Sequence, residues 1–167
     1  MNFVMKNFPI EHNGETYWVS RSMAVSCFVF ARINDSWCVL ANQRGIGTPD
    51  YQGCWNVPCG YLDYNETTKE AAIRETYEET GVKLKNAILW GFEDDPEENR
   101  QNVTFRYYAI IDDAQPSSIS LSTEALGGED NEVSSVAWIP IDTVADYEWA
   151  FDHDILIITL EEMLGLK

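Results

Sequence analysis

A chain of 167 residues that is 45% hydrophobic and 13% aromatic can bury a core of its own and fold as one domain, which excludes an intrinsically disordered chain. Its net charge of −17 argues against a duplex nucleic acid partner, because neutralising phosphates takes clustered lysine and arginine. No apolar run approaches the ~18 residues of a membrane span, and Met1–Lys6 has no sustained apolar segment of the signal-peptide kind, so a cytoplasmic setting is expected.

In chain order, Phe8 to Ser20 reads as a hairpin around Asn13-Gly14, a strong turn signal. Met23 to Ala31 and Trp37 to Gln43, rich in valine, phenylalanine and cysteine, flank Asn34-Asp35-Ser36 and predict a second hairpin at the heart of a mixed sheet. Gly45 to Gly53 is a surface loop. Gly60 to Val82 predicts a turn and then a capped helix. Asn65 tolerates a left-handed turn position, Thr67 and Glu70 form a capping box, and Gly81 supplies the stop. That helix would run about 13 residues, or roughly 20 Å.

Leu84 to Glu93 and Val103 to Ile111 are predicted strands around a charged loop, 94–100. Asp112 to Asp130 is the longest irregular stretch and a candidate lid. Val133 to Ile139 returns as a strand ending at Pro140, and Asp152 is placed to cap a last helix through Leu164, with Ile155, Leu156, Leu160 and Met163 buried. Strands interrupted by one helix and closed by another predict an α/β fold with helices on both faces of a mixed sheet. The domain proper would be 23–167. Residues 1–22 would be a hairpin extension, suited to pairing with a second copy as a homodimer. Cys27, Cys38, Cys54 and Cys59 show neither CxxC pairs nor histidines at zinc spacing and are read as reduced and structural.

The chemistry concentrates on the first helix. At about 100° per residue, Glu75, Glu78 and Glu79 share one arc, Ile73, Tyr77 and Thr80 face the core, and Arg74 lies outside the middle of the carboxylate arc. Three such carboxylates repel by a few tenths of a kcal/mol per pair, and a hard divalent cation would turn that cost into a binding site. Taken alone, the trio reads as a solvated acidic face.

The full spacing changes that reading. Gly60, five residues, Glu66, seven residues, Arg74-Glu75, then Glu78-Glu79 and Gly81-Val82 resembles the signature box of the Nudix hydrolases, and Trp55-Asn-Val-Pro58 is similar to that family's lead-in. Two positions depart from it: Cys59 stands where a second glycine is usual, and Thr76 where an aliphatic residue is usual. The resemblance implies an α/β/α sandwich and a metal-dependent pyrophosphohydrolase. In it, Glu75, Glu78 and Glu79, with the Gly60 carbonyl nearby, would hold Mg2+ or Mn2+, and one glutamate would act as general base. It also implies that Arg74 orients the carboxylates and that Glu66 steadies the loop–helix unit, although Glu66 is equally readable as a favourable charge at a helix N-terminus.

Beyond the box, Arg44 is a candidate contact for a substrate phosphate or an ordinary surface arginine. Glu132 is a candidate metal ligand, base or substrate contact, or simply part of an acidic run. Trp90, Phe92 and Tyr107 could stack on a base or fill the core, and His153 reads as structural. Pro96, 15 residues after Gly81, and the loop before the tyrosine-rich strand look somewhat like ADP-ribose and nucleotide-sugar pyrophosphatases. The expected partner is a small nucleotide-type substrate, a nucleoside diphosphate linked to another group. A house-cleaning triphosphate pyrophosphohydrolase and a non-catalytic nucleotide sensor are the alternatives.

Overall fold

The structure, a computed structural model, describes residues 7–96, 101–111 and 131–166. Strands β1 (Phe8–His12) and β2 (Glu15–Val19) pair antiparallel around Asn13-Gly14, both with positive φ, as the turn signal requires. The main sheet is mixed. Its strands are β3 (Met23–Ile33), β4 (Ser36–Arg44), β5 (Trp55–Asn56), β6 (Cys59–Tyr61), β7 (Ile88–Glu93), β8 (Val103–Ile111) and β9 (Val133–Pro140). The order is β5-β4-β3-β8-β7, with β6 added to β3 and β9 to β4. Among the described strands, β3–β8 is the one parallel pair.

Helix α1 (Thr68–Thr80) covers one face of this sheet and α2 (His153–Leu164) the other. Alternation along β3 builds both layers: Val25, Cys27 and Val29 pack with Ala71 and Ala72, while Phe28 and Phe30 pack with Ile157 and Leu160. The result is the α/β/α sandwich expected from the element order. No helix among the described residues is long and apolar enough to cross a membrane.

Several expectations need correction. The seventh strand begins at Ile88 rather than Leu84. On α1 the buried residues are Ala71, Ala72, Thr76 and Thr80, whereas Ile73 is half-buried and Tyr77 lies outside. A helix lying close to a sheet needs small side chains at the contact, and a count of large apolar residues misses that. The hydroxyls of Thr76 and Thr80 donate to the carbonyls of Ala72 and Thr76, so both can be buried without an orphaned group.

On α2 the buried stripe is His153, Ile157 and Leu160, while Ile155 and Met163 are exposed. The helix is apolar on more than one side, and the tie from His153 to Val57 sets its rotation. Asp152 stands at the cap position but with φ 54°, and its carboxylate makes no capping bond. Trp90 packs edge-on against Phe28, and Tyr107 is buried with its hydroxyl against that of Thr68, so both are core; Phe92 is exposed. The candidate lid, the charges at 97–100 and residues 1–6 lie outside the described residues.

The predicted capping box is present. Thr67 Oγ1 accepts from the Glu70 N–H, the Glu70 carboxylate accepts from the Thr67 N–H at 2.8 Å, and Gly81 closes the helix at φ 74°. Thr67→Ala is therefore expected to cost about 1 kcal/mol of stability, readable as a lower urea midpoint with an unchanged m-value.

Candidate active site

The site forms where the main sheet splays. β3 pairs with β4 only from Phe30 to Ile33, and with β6 from Ala24 to Ser26. The segment Trp55–Tyr61 fills the gap: Asn56 pairs with Asn42 of β4, Gly60 with Val25 of β3, and the Cys27 N–H donates to the Pro58 carbonyl. Cys59 and Gly60 are thereby held against α1.

Gly60 does not have a positive φ; it is required by space. A Cβ there would overlap the Glu75 carboxylate. One turn further along α1, Glu79 Oε2 accepts from the Cys59 N–H at 3.0 Å. Cys59, at the usual glycine position, adopts an ordinary negative-φ conformation, so its side chain causes no backbone strain there.

Burial lifts the Glu79 carboxyl well above the usual carboxylate range, and the neighbouring charges of Glu75 and Glu132 add to the rise, against the Cys59 N–H and Arg44. Burial likewise raises Glu75, against Arg74. It also pushes the thiols of Cys27 and Cys59 up to about 11 and about 12. Both cysteines are thus expected to resist alkylation by iodoacetamide at pH 8 in the native protein and to react in urea, as peptide mass spectrometry would read.

Arg74 departs from the place given by its helix projection and takes the one implied by the resemblance. It lies among the carboxylates: Nη1 donates to Glu75 and Glu78, at 2.8 Å each, while Nε and Nη2 donate to Glu66 at 3.1 and 2.7 Å. Nη2 also donates to the Tyr61 carbonyl. A guanidinium on a long stem spans the 100° that a projection of Cα positions treats as separation. Glu66 accepts from the Asp63 N–H as well, and the bond from Arg74 leads the causes that lower its pKa.

Arg44 is tied to Asp50, with Nη2 2.6 Å from Oδ1, and its guanidinium stacks over Phe151. Glu132 is brought beside it by the bond from the Gly45 N–H to the Glu132 carbonyl, and a Cβ on Gly45 would overlap the Asn131 carbonyl. Both charges act on Glu79 without touching it. The geometry thus gathers Gly60, Glu75 and Glu79 at one point, joins Arg74, Glu66 and Glu78 to it, and sets Arg44 and Glu132 around it. Glu75, Glu78 and Glu79 do not share one focus in this conformation, since Arg74 holds the first two and Cys59 the third. Among the described residues, the carboxylates that do crowd within 4.8 Å of one another are Glu93, Asp94 and Asp95. His153 is structural, its buried Nδ1 accepting from the Val57 N–H.

A cavity of about 450 Å³ opens on the α2 side of the same strands and reaches Cys59 and Gly60. Its floor is two rows across the sheet, Cys59–Ser26–Arg106 and Tyr61–Ala24–Thr104–Glu93. The start of α2 forms the wall. Sequence reasoning missed Ser26, Glu93 and Arg106. The lone hydroxyl in the apolar run Met23–Ala31 was the available signal for Ser26; the other two are assembled only by the register of β7 and β8.

An α/β/α sandwich with a glycine seated against a glutamate-bearing helix beside a cavity defines a class of domain, and a profile of the NUDIX domain matches residues 20–159. The chain belongs to the Nudix family. It is 30% identical over 125 residues to an RNA pyrophosphohydrolase of Rhizobium meliloti, covering 65% of this chain and 74% of that protein. It is 25% identical to Nudix hydrolase 6 of Arabidopsis thaliana over 86% of this chain and 50% of that protein. Among solved structures, the NUDIX domain of Shewanella oneidensis NrtR, complexed with ADP ribose, shares the fold with a TM-score of 0.69 at 24% identity, covering 87% of this chain and 90% of that one. The chain spans 22%, 37% and 50% of three of the curated relatives it matches.

Proposed function

We propose that this chain is a divalent-metal-dependent hydrolase of phosphoanhydride bonds whose substrate is a nucleoside diphosphate joined to a second group. The observation that carries the reading is the Gly60–Glu75–Glu79 junction. Glu79, a half-buried carboxylate with a raised pKa, lies one turn from Glu75, and the missing Cβ of Gly60 leaves room for the Glu75 carboxylate. Carboxylate oxygens from Glu75, Glu78 and Glu79, with the Gly60 carbonyl, are the hard donors that Mg2+ or Mn2+ takes, so the donor chemistry fits the ion, which would draw Glu78 away from Arg74. When bound, such an ion neutralises phosphate charge and lowers the pKa of a coordinated water.

The chain's own groups do the rest. Arg74 fixes Glu75 and Glu78 in place, and Glu66 fixes Arg74. Glu79, whose pKa desolvation raises, suits proton acceptance from an attacking water. Arg44, held by Asp50 beside Glu132, supplies positive charge for a phosphate oxygen. One of the similar proteins is an RNA pyrophosphohydrolase and another a domain complexed with ADP ribose, which supports a nucleotide-type substrate.

The test is phosphate-product release from a panel of ADP-ribose, sugar nucleotides, dinucleoside polyphosphates and oxidised triphosphates, with Mg2+, Mn2+ or EDTA. Metal-dependent cleavage of a nucleoside diphosphate conjugate is expected. Binding without turnover across the whole panel would turn the reading into that of a sensor.

A further inference from the structure

We infer that the cavity beside Gly60 receives the group joined to the nucleoside diphosphate, and that it selects an uncharged, hydroxyl-bearing ring against a further phosphate, with Ser26, Glu93 and Arg106 as the specificity-determining residues. The inference rests on the hydrolase reading for its substrate and on the cavity for everything else.

Ser26 is 2% exposed and lines the cavity, and its Oγ has no hydrogen-bond partner. A buried hydroxyl left unpaired is costly, and a polar group entering the cavity would satisfy it. Register places Ser26 beside Arg106 on β8 and Cys59 on β6, and the next residue along β7 opposite Arg106 is Gly91, where a Cβ would meet nothing within 4 Å. The floor is therefore low in front of the guanidinium, and space remains there for a ring. Ile155 and Leu156 from α2 give an apolar wall for the C–H face of such a ring.

Charge decides between the two chemistries a donor such as Arg106 could serve. Among the described residues Arg106 is the one arginine or lysine lining the cavity, and its Nη2 already lies 3.4 Å from Glu93 Oε2; Asp95 and Asp152 line the same space. One guanidinium faces three carboxylates. A phosphate entering there would be repelled, whereas the hydroxyls of a sugar donate to carboxylates and accept from the guanidinium and from Ser26. The proximity of Gly60 sets the direction, with the anhydride at the glutamates and the sugar end in the cavity. A nucleoside triphosphate would place charge where the cavity is most acidic.

ADP-ribose and ATP share the adenosine diphosphate part and test this directly. The wild-type enzyme with Mg2+ is expected to favour ADP-ribose by at least tenfold in kcat/KM. Glu93→Gln keeps the shape and removes the charge. It should lower kcat/KM for ADP-ribose at least fivefold and leave ATP unchanged or improved. Ser26→Leu, which fills the floor, should raise KM for ADP-ribose more than for ATP. A wild type that prefers ATP, or variants that slow both substrates alike, overturns the cavity assignment while the hydrolase reading stands. If neither compound is cleaved, the hydrolase reading is judged on the wider panel instead. Calorimetric binding of ADP-ribose without metal then decides the cavity alone: weaker binding by both variants supports it, and unchanged binding overturns it.

Discussion

Glu79→Gln is expected to slow cleavage about a thousandfold, within the range of 10² to 10⁴ for removing a positioned proton acceptor, and at the same time to stabilise the metal-free protein. Glutamine keeps the oxygen that accepts from the Cys59 N–H, so the local geometry survives. It removes a charge that burial opposes. Because the folded-state pKa of Glu79 is raised, folding takes up a proton between the ordinary carboxylate range and the raised value, and metal-free stability falls as pH rises across that window.

The variant lacks this slope. Its advantage should grow as the pH rises above the ordinary carboxylate range and should vanish as the pH drops into it. In melting curves at several pH values, a gain of ~1 kcal/mol would appear as about 2–4 °C. Added Mg2+ should raise the wild-type melting temperature by mass action and the variant's much less. A variant that is no more stable than wild type at pH 8 would remove the case for a desolvated Glu79 carboxylate.

Gly60→Ala separates activity from stability in the opposite way. The added methyl meets the end of the Glu75 side chain, and a carboxylate on a flexible stem can swing aside. The fold should therefore lose no more than about 1 kcal/mol, whereas displacing Glu75 by an ångström or so should cost about 100-fold in kcat. The bond from Arg74 to Glu75 would be lost with it, leaving Arg74 to Glu66 and Glu78. Melting and steady-state kinetics on the same preparation check both halves. Collapse of the fold would show that the strand at Gly60, rather than the side chain, had been forced to move.

The local devices of this chain were legible because each is written in a few adjacent residues. Asn13-Gly14 marks a turn, Thr67 and Glu70 a helix start, Gly81 its end, and the spacing from Gly60 to Val82 a box that needs no distant partner to be read. Helix rotation was not legible in the same way. Where a helix carries large apolar residues on two sides, as α2 does with Ile155, Ile157 and Ile158, the buried stripe depends on what the rest of the sheet presents. Here the bond from the Val57 N–H to His153 decided it.

The sequence by itself determined the order of the elements, the box, and the identity of the acidic groups around Gly60. Tertiary structure alone decided which carboxylate each nitrogen of Arg74 reaches, that Arg44 and Glu132 stand around Glu79, and that Ser26, Glu93 and Arg106 share one cavity floor. The reason is the range of the interactions. Turns, caps and helix spacing act over a few residues, while a row across four strands exists only once the register between segments up to 80 residues apart has been set by packing on both faces of the sheet.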